Sequence, residues 1–95
     1  TRTDSSAASD VYKRQGILVC GSGTGMAISA NKIKTIRAAV CYNLRSTRLS
    51  RQHNNANIIA LGSRLTKKKL SLKLVETFLK TKFEGGRHLR RVKKI

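Results

Sequence analysis

Three short apolar runs constrain this chain more than any other feature. They are Gly16-Ile-Leu-Val-Cys20, Ile36-Arg-Ala-Ala-Val-Cys41 (broken only by Arg37) and Asn57-Ile-Ile-Ala-Leu61, the last closed by Gly62. A strand with one wet face alternates apolar and polar residues. A run that stays apolar needs cover on both faces, the environment of a parallel strand flanked by helices. Helix-like pieces separate and follow the runs, at Gly25–Lys32, about Ser46–His53, and roughly Lys67–Phe83. In the longest, Leu74, Val75, Phe78 and Leu79 recur at three- and four-residue spacing, an amphipathic stripe. Thr66 is expected to cap its start. Lys67, Lys68 and Lys69 then meet the positive end of the helix dipole, a mildly unfavourable placement. Strand followed by helix, three times over, predicts an α/β fold with right-handed crossovers.

The chain has 95 residues, enough for one domain with a modest core. Aromatics are 4% and there is no Trp, so the core must be aliphatic. No apolar run approaches the roughly 18 residues of a membrane span, and no membrane partner is expected. Cys20 and Cys41 lie in separate apolar runs without CxxC spacing, which fits a reducing, cytoplasmic setting better than a disulfide scaffold. The net charge is +17. Residues 16–63 carry bases and no acid, and residues 64–95 set their bases against only Glu76 and Glu84. Such a field attracts phosphates, on a small metabolite or on nucleic acid.

Residues 1–15 stand apart. Ser5-Ser6-Ala7-Ala8-Ser9-Asp10-Val11-Tyr12-Lys13-Arg14-Gln15 resembles a DNA sequencing adapter translated in frame. Residues 1–15 are therefore expected to be a non-native leader, and 16–95 the genuine, partial domain.

Four pieces can carry chemistry. In Cys20-Gly21-Ser22-Gly23-Thr24-Gly25-Met26, a strand gives way to a helix, and glycines there let backbone N–H groups point at an anion. The spacing fails the dinucleotide fingerprint GxGxxG and the GxxxxGK[ST] pattern, and a turn needed only for tight packing is the competing explanation. Cys20 is either a small buried hydrophobe or, beside those N–H groups, a thiolate base or nucleophile; Cys41 is a core residue. His53-Asn54-Asn55-Ala56-Asn57 is either a helix end and turn or a polar site with His53 as general acid. In Glu84-Gly85-Gly86-Arg87-His88-Leu89-Arg90-Arg91, the two glycines are expected to end the preceding helix. Arg87 and Arg91 share a face at i,i+4 and make either a phosphate clamp or a solvated basic surface. No metal site is expected, because His53 and His88 are far apart in sequence and no carboxylate cluster accompanies them.

CGSGTGM, SRQHNNAN, ALGSR and FEGGRHLRRV, in that order, resemble the family of type B ribose-5-phosphate isomerases and galactose-6-phosphate isomerase subunits, over Gly16–Ile95. The resemblance implies a Rossmann-like three-layer αβα fold with a parallel sheet, of which this would be the C-terminal β-α-β-α-β-α part plus a helical tail. It implies aldose–ketose isomerisation of a sugar phosphate through a cis-enediolate, without metal or organic cofactor. Cys20 would be the proton-transfer base. Gly21, Ser22, Gly23, Thr24 and Gly25 would serve the enediolate, with the Ser22 hydroxyl assisting. His53 would open the sugar ring, Asn54 would bind substrate, and Arg64, Arg87 and Arg91 would take the phosphate. Cys20 favours ribose phosphate over galactose phosphate.

The resemblance also implies a homodimer or dimer of dimers, in which His53 and the arginine pair complete the neighbour's Cys20 loop. Family members begin with a strand bearing an Asp-His pair, followed by a Tyr-bearing segment; neither has a counterpart here. The sheet should therefore have an exposed edge, and the chain alone should be weakly stable and inactive. The rival of another class is a basic nucleic-acid-binding protein. The chain lacks the aromatic interleaving of a single-strand binder and any recognisable DNA-reading motif, so a nucleic-acid partner is not expected.

Overall fold

The computed structural model describes residues 15–95. The adapter-like segment lies outside the described residues except for Gln15. The strands are β1 (Gly16–Cys20), β2 (Ala38–Val40) and β3 (Ile58–Gly62), and the helices are α1 (Thr24–Ala30), α2 (Leu44–Gln52), α3 (Lys68–Lys80) and α4 (Arg87–Val92). All pairing is parallel, in the order β1-β3-β2. Gly16 pairs with Ile58 and Cys20 with Gly62, so β1 and β3 end together.

This order follows from crossover handedness. The chain steps outward from β1 to β2, then back to β3 between them. With right-handed crossovers, that reversal sends α1 and α2 to opposite faces of the sheet. The core bears this out. Ile59 and Leu61, alternate residues of β3, pack with Cys41, Leu74 and Phe78, and with Leu44 of α2 and Leu70 of α3. α1 packs on all three strands outside that cluster and buries Ala27. The central strand is covered on both faces, as its unbroken apolar run demanded: Ile59 and Ala60 are fully buried. β1 is an edge among the described residues and leaves Ile17 and Val19 about half exposed, at 47% and 55%.

Several local expectations need correction. Thr66 does not cap α3. Lys67 occupies the cap position in extended conformation without a side-chain bond. Thr66 stands one residue too early, and its buried hydroxyl has no partner among the described residues. α3 ends at Lys80 rather than Phe83, because tertiary bonds pull the chain out of the helix. The Thr81 carbonyl accepts from Arg51 Nε at 2.9 Å, and Glu84 N–H donates to the Gln52 carbonyl at 3.1 Å. Gly85 and Gly86 therefore start α4 rather than end α3; both have positive φ, 70° and 55°, which a side chain rarely adopts. β2 is shorter than its apolar run because the Asn57 side chain intercepts the backbone before it, accepting from Arg37 N and donating to the Thr35 carbonyl.

Candidate functional site

β1 and β3 are adjacent, yet the helices that follow them lie on opposite faces. The crevice between their carboxyl ends is the place where ligands bind in open α/β sheets. Two turns meet there. Ser63 N–H donates to the Cys20 carbonyl at 2.8 Å, and Arg64 N–H to the Gly21 carbonyl at 3.0 Å. Close packing needs two glycines. Gly23 has φ 82°, and a Cβ on it would lie 3.0 Å from the Leu61 carbonyl carbon. A Cβ on Gly62 would lie 2.7 Å from Ser22 backbone atoms. The Arg64 side chain lies over Gly21, its guanidinium exposed.

Cys20 Sγ accepts a hydrogen bond from Gly23 N–H at 3.1 Å. The N–H groups around it hold its thiol below the ordinary range, Met26 first, then Gly23, Ser22 and Gly25; desolvation opposes them in part. The sulfur is half-buried, reachable and biased toward thiolate. Ser22 Oγ accepts from Thr24 N–H at 3.3 Å, which leaves its O–H able to donate outward. Thr24 and Gly25 are exposed in the first turn of α1. Cys41, in contrast, is 1% exposed and its thiol is pushed up by burial, as befits a core residue.

The other residues singled out in the sequence gather elsewhere. α2 runs back along the sheet and ends at His53, beside the start of β3 rather than its end. The two groups thus lie at opposite ends of β3. His53, Arg87, His88 and Arg91 line one cleft of about 420 Å³. Asn54 is not part of it. It is exposed and lines a separate cavity of about 500 Å³ with Asn31, Lys34 and Arg37.

Two members of this second group were not singled out beforehand. His88 is 6% exposed. Its ring stacks on that of His53, with centroids 4.1 Å apart and planes 13° from parallel. Its Nδ1 is hydrogen-bonded to Arg91 Nη2. One Glu84 oxygen lies 3.7 Å from His88 Nε2 and 3.9 Å from His53 Nε2. Burial first, then the positive charge of His53, Arg91 and Arg87, pushes the His88 pKa down, against the pull of Glu84. The i,i+4 spacing of Glu84 and His88 was the available signal. His53 and His88, far apart in sequence, meet in the fold: donor atoms of His53, Glu84 and His88 lie within 4.8 Å of one another. The rings are parallel, however, and Arg91 already engages one His88 nitrogen.

The sequence model of the Ribose/Galactose Isomerase family matches residues 3–95. The chain belongs to that family. Among isomerase relatives, it is 49% identical over 80 residues to ribose-5-phosphate isomerase B of Escherichia coli, covering 84% of this chain and 54% of that protein. It is 47% identical over 83 residues to a probable ribose-5-phosphate isomerase B of Mycoplasma genitalium, covering 87% and 55%. Its fold matches ribose-5-phosphate isomerase B of Clostridium thermocellum with a TM-score of 0.85 at 50% identity, over 94% of this chain and 60% of that one. It also matches the Mycoplasma genitalium enzyme solved with bound ribulose-5-phosphate, with a TM-score of 0.84 at 44% identity, over 92% and 60%. The Rossmann-like α/β fold implied by the motifs is thus shared with isomerase structures. The chain spans about half the length of the curated isomerases it matches.

Proposed function

We propose that this chain carries two parts of an aldose–ketose isomerase site that interconverts ribose 5-phosphate and ribulose 5-phosphate. The observation that supports this best is Cys20, a reachable thiol held toward thiolate by backbone N–H groups in the crevice between β1 and β3. In the open-chain aldose, the thiolate takes the proton from C2. The C–H electron pair forms the C1=C2 bond of an enediolate, and negative charge moves to O1. Backbone N–H groups of the glycine turn and the Ser22 hydroxyl donate to that charge, the usual way an oxyanion is stabilised. Returning the proton to C1, with the O2 proton passing to O1 as C2=O forms, gives the ketose. Ring opening before this step needs an acid at the ring oxygen, the role assigned to His53. Arg64, Arg87 and Arg91 take the phosphate as charge-assisted donors, and Asn54 contacts substrate only if its surroundings differ in the assembled site.

Cys20 and His53 stand at opposite ends of the sheet, so one copy does not bring them to one substrate. A site shared between two copies resolves this, the neighbour's His53 and arginine pair facing this chain's glycine turn. That is the dimeric arrangement, as a homodimer or dimer of dimers, that the family resemblance implies. The ribose reading is favoured over a galactose-phosphate subunit by relatives named ribose-5-phosphate isomerase B. Two free thiols support a cytoplasmic setting.

The test is conversion of ribose 5-phosphate to ribulose 5-phosphate by this chain alone and joined to the remaining half of a relative, each with and without Cys20→Ala. Activity in the joined protein that falls at least 10²-fold with Cys20→Ala is expected for loss of a general base. A folded, dimeric joined protein without activity, or one indifferent to Cys20→Ala, would exclude this reading. Steeply salt-dependent binding of nucleic acid would then favour the basic-surface alternative.

A further inference from the structure

We propose that His88 is a positioning residue that sets His53 and Arg91 as one rigid unit, with Glu84 as their common anchor. The proposal rests on the roles given above to His53 and Arg91. Arg91 is exposed and long, and a guanidinium on a free stem loses much side-chain entropy when it grips a phosphate. His88 removes part of that loss in advance. Its Nδ1 accepts from Arg91, which fixes the direction of the guanidinium fork. Accepting there requires the neutral tautomer with the proton on Nε2, and the burial and positive charge around His88 favour the neutral form.

The same ring is the floor under His53. Stacking at 4.1 Å restricts the rotation of the His53 ring, while the Glu84 oxygen faces Nε2 of both rings. His88 itself is buried, and the cleft opens past it to His53, Arg87 and Arg91. It therefore acts through its neighbours. Its placement depends on packing: the turn before α4 is held to the end of α2 by the Glu84 N–H bond to the Gln52 carbonyl.

Two substitutions separate the two contacts. His88→Phe keeps a ring under His53 and removes the acceptor for Arg91. His88→Gln keeps an acceptor oxygen and removes the ring. The full chain is titrated with inorganic phosphate by calorimetry, and His53 ring motion is followed by NMR relaxation. Phosphate affinity is expected to fall about tenfold in His88→Phe and to stay within threefold in His88→Gln. His53 ring mobility is expected to rise only in His88→Gln. Equal effects of both variants on both readouts, no effect of either, or no phosphate binding by the unmodified chain would overturn the proposal.

If a His88 variant unfolds, Glu84→Gln supplies the second measurement, because Glu84 is about half exposed. It should shift the Nε2 resonances of His53 and His88 together, and a shift in one alone would overturn the common anchor. Ribose 5-phosphate is titrated alongside. If, in the protein joined to a relative's remaining half, it binds no better than inorganic phosphate while the variant pattern holds, the sugar-phosphate reading fails and the role of His88 stands.

Discussion

A single methyl group at Gly62 should disturb the Cys20 turn from a distance. Gly62 ends β3, and its φ is not in the left-handed region, so Gly62→Ala meets no backbone penalty of its own. The obstacle is Ser22, whose carbonyl carbon and oxygen would lie 2.7 Å, and Cα 2.9 Å, from the new Cβ. Ordinary contact begins at 3.4 Å, and the neighbouring atoms are backbone, so the turn or β3 must move by the difference. Overpacking of this kind costs about 1–3 kcal/mol, and a domain of this size loses about 4–8 °C in melting temperature per kcal/mol. Moving Ser22 also moves Gly23 N–H away from Cys20 Sγ, and with it part of what lowers the thiol pKa.

Two measurements on Gly62→Ala should therefore change together. The thermal midpoint by circular dichroism falls, and the pH midpoint for alkylation of Cys20 by iodoacetamide moves up toward the ordinary thiol value. Cys41 is silent in the alkylation assay because it is buried and its thiol is pushed up. Gly25→Ala is the control. Its Cβ meets nothing within 4 Å, it keeps the backbone N–H, and alanine in a helix gains up to about 1 kcal/mol over glycine. It should leave the alkylation profile alone and hold or raise the melting temperature. A Gly62→Ala protein with unchanged midpoints in both assays would refute the claim that the contact of Gly62 with Ser22 holds the turn.

Three further outcomes are expected. Thr66→Val should stabilise the chain by about 1 kcal/mol, since it replaces a buried hydroxyl that lacks a partner among the described residues with a shape-matched apolar group; a lower midpoint in urea would show that the hydroxyl is satisfied in solution. Leu74→Ala removes a fully buried side chain between α3 and β3 and should cost about 2–5 kcal/mol, read from the same urea transition. The pH dependence follows from His88, whose folded pKa is lowered by burial and by neighbouring positive charge. The unfolded chain then binds the proton more readily. The contribution of His88 is complete above its unfolded value of about 6.5 and is lost as the pH falls from there through the folded value. Melting temperature should drop on acidification below about pH 6.5, and by less in His88→Gln. An equal drop in both proteins would remove His88 from the account.

Much of the fold was legible because it is written in local burial. The unbroken run Ile58-Ile59-Ala60-Leu61 announced a strand covered on both faces, and it is the central strand. Of the stripe Leu74, Val75, Phe78 and Leu79, Leu74 and Phe78 form the buried face of α3, whereas Leu79 at its border is half exposed. Local capping was less legible. Thr66 and the Gly85-Gly86 pair have the right chemistry for helix ends, but Arg51 and Gln52, distant in the chain, draw the backbone out of α3 before those positions are reached. Composition cannot report a hydrogen bond from another helix.

The sequence alone therefore determined the α/β class, the glycine turn at the end of β1, the core place of Cys41 and the shared face of Arg87 and Arg91. Each depends on residues close together in the chain, where periodicity, glycine φ and i,i+4 spacing act directly. Only the tertiary structure decided that His88 joins His53, that Asn54 does not, and that the glycine turn and the histidine cleft stand at opposite ends of the sheet. Those relations depend on strand order and on the path of residues 81–86. Both are set by crossover handedness and by long-range packing, which no window of neighbouring residues contains.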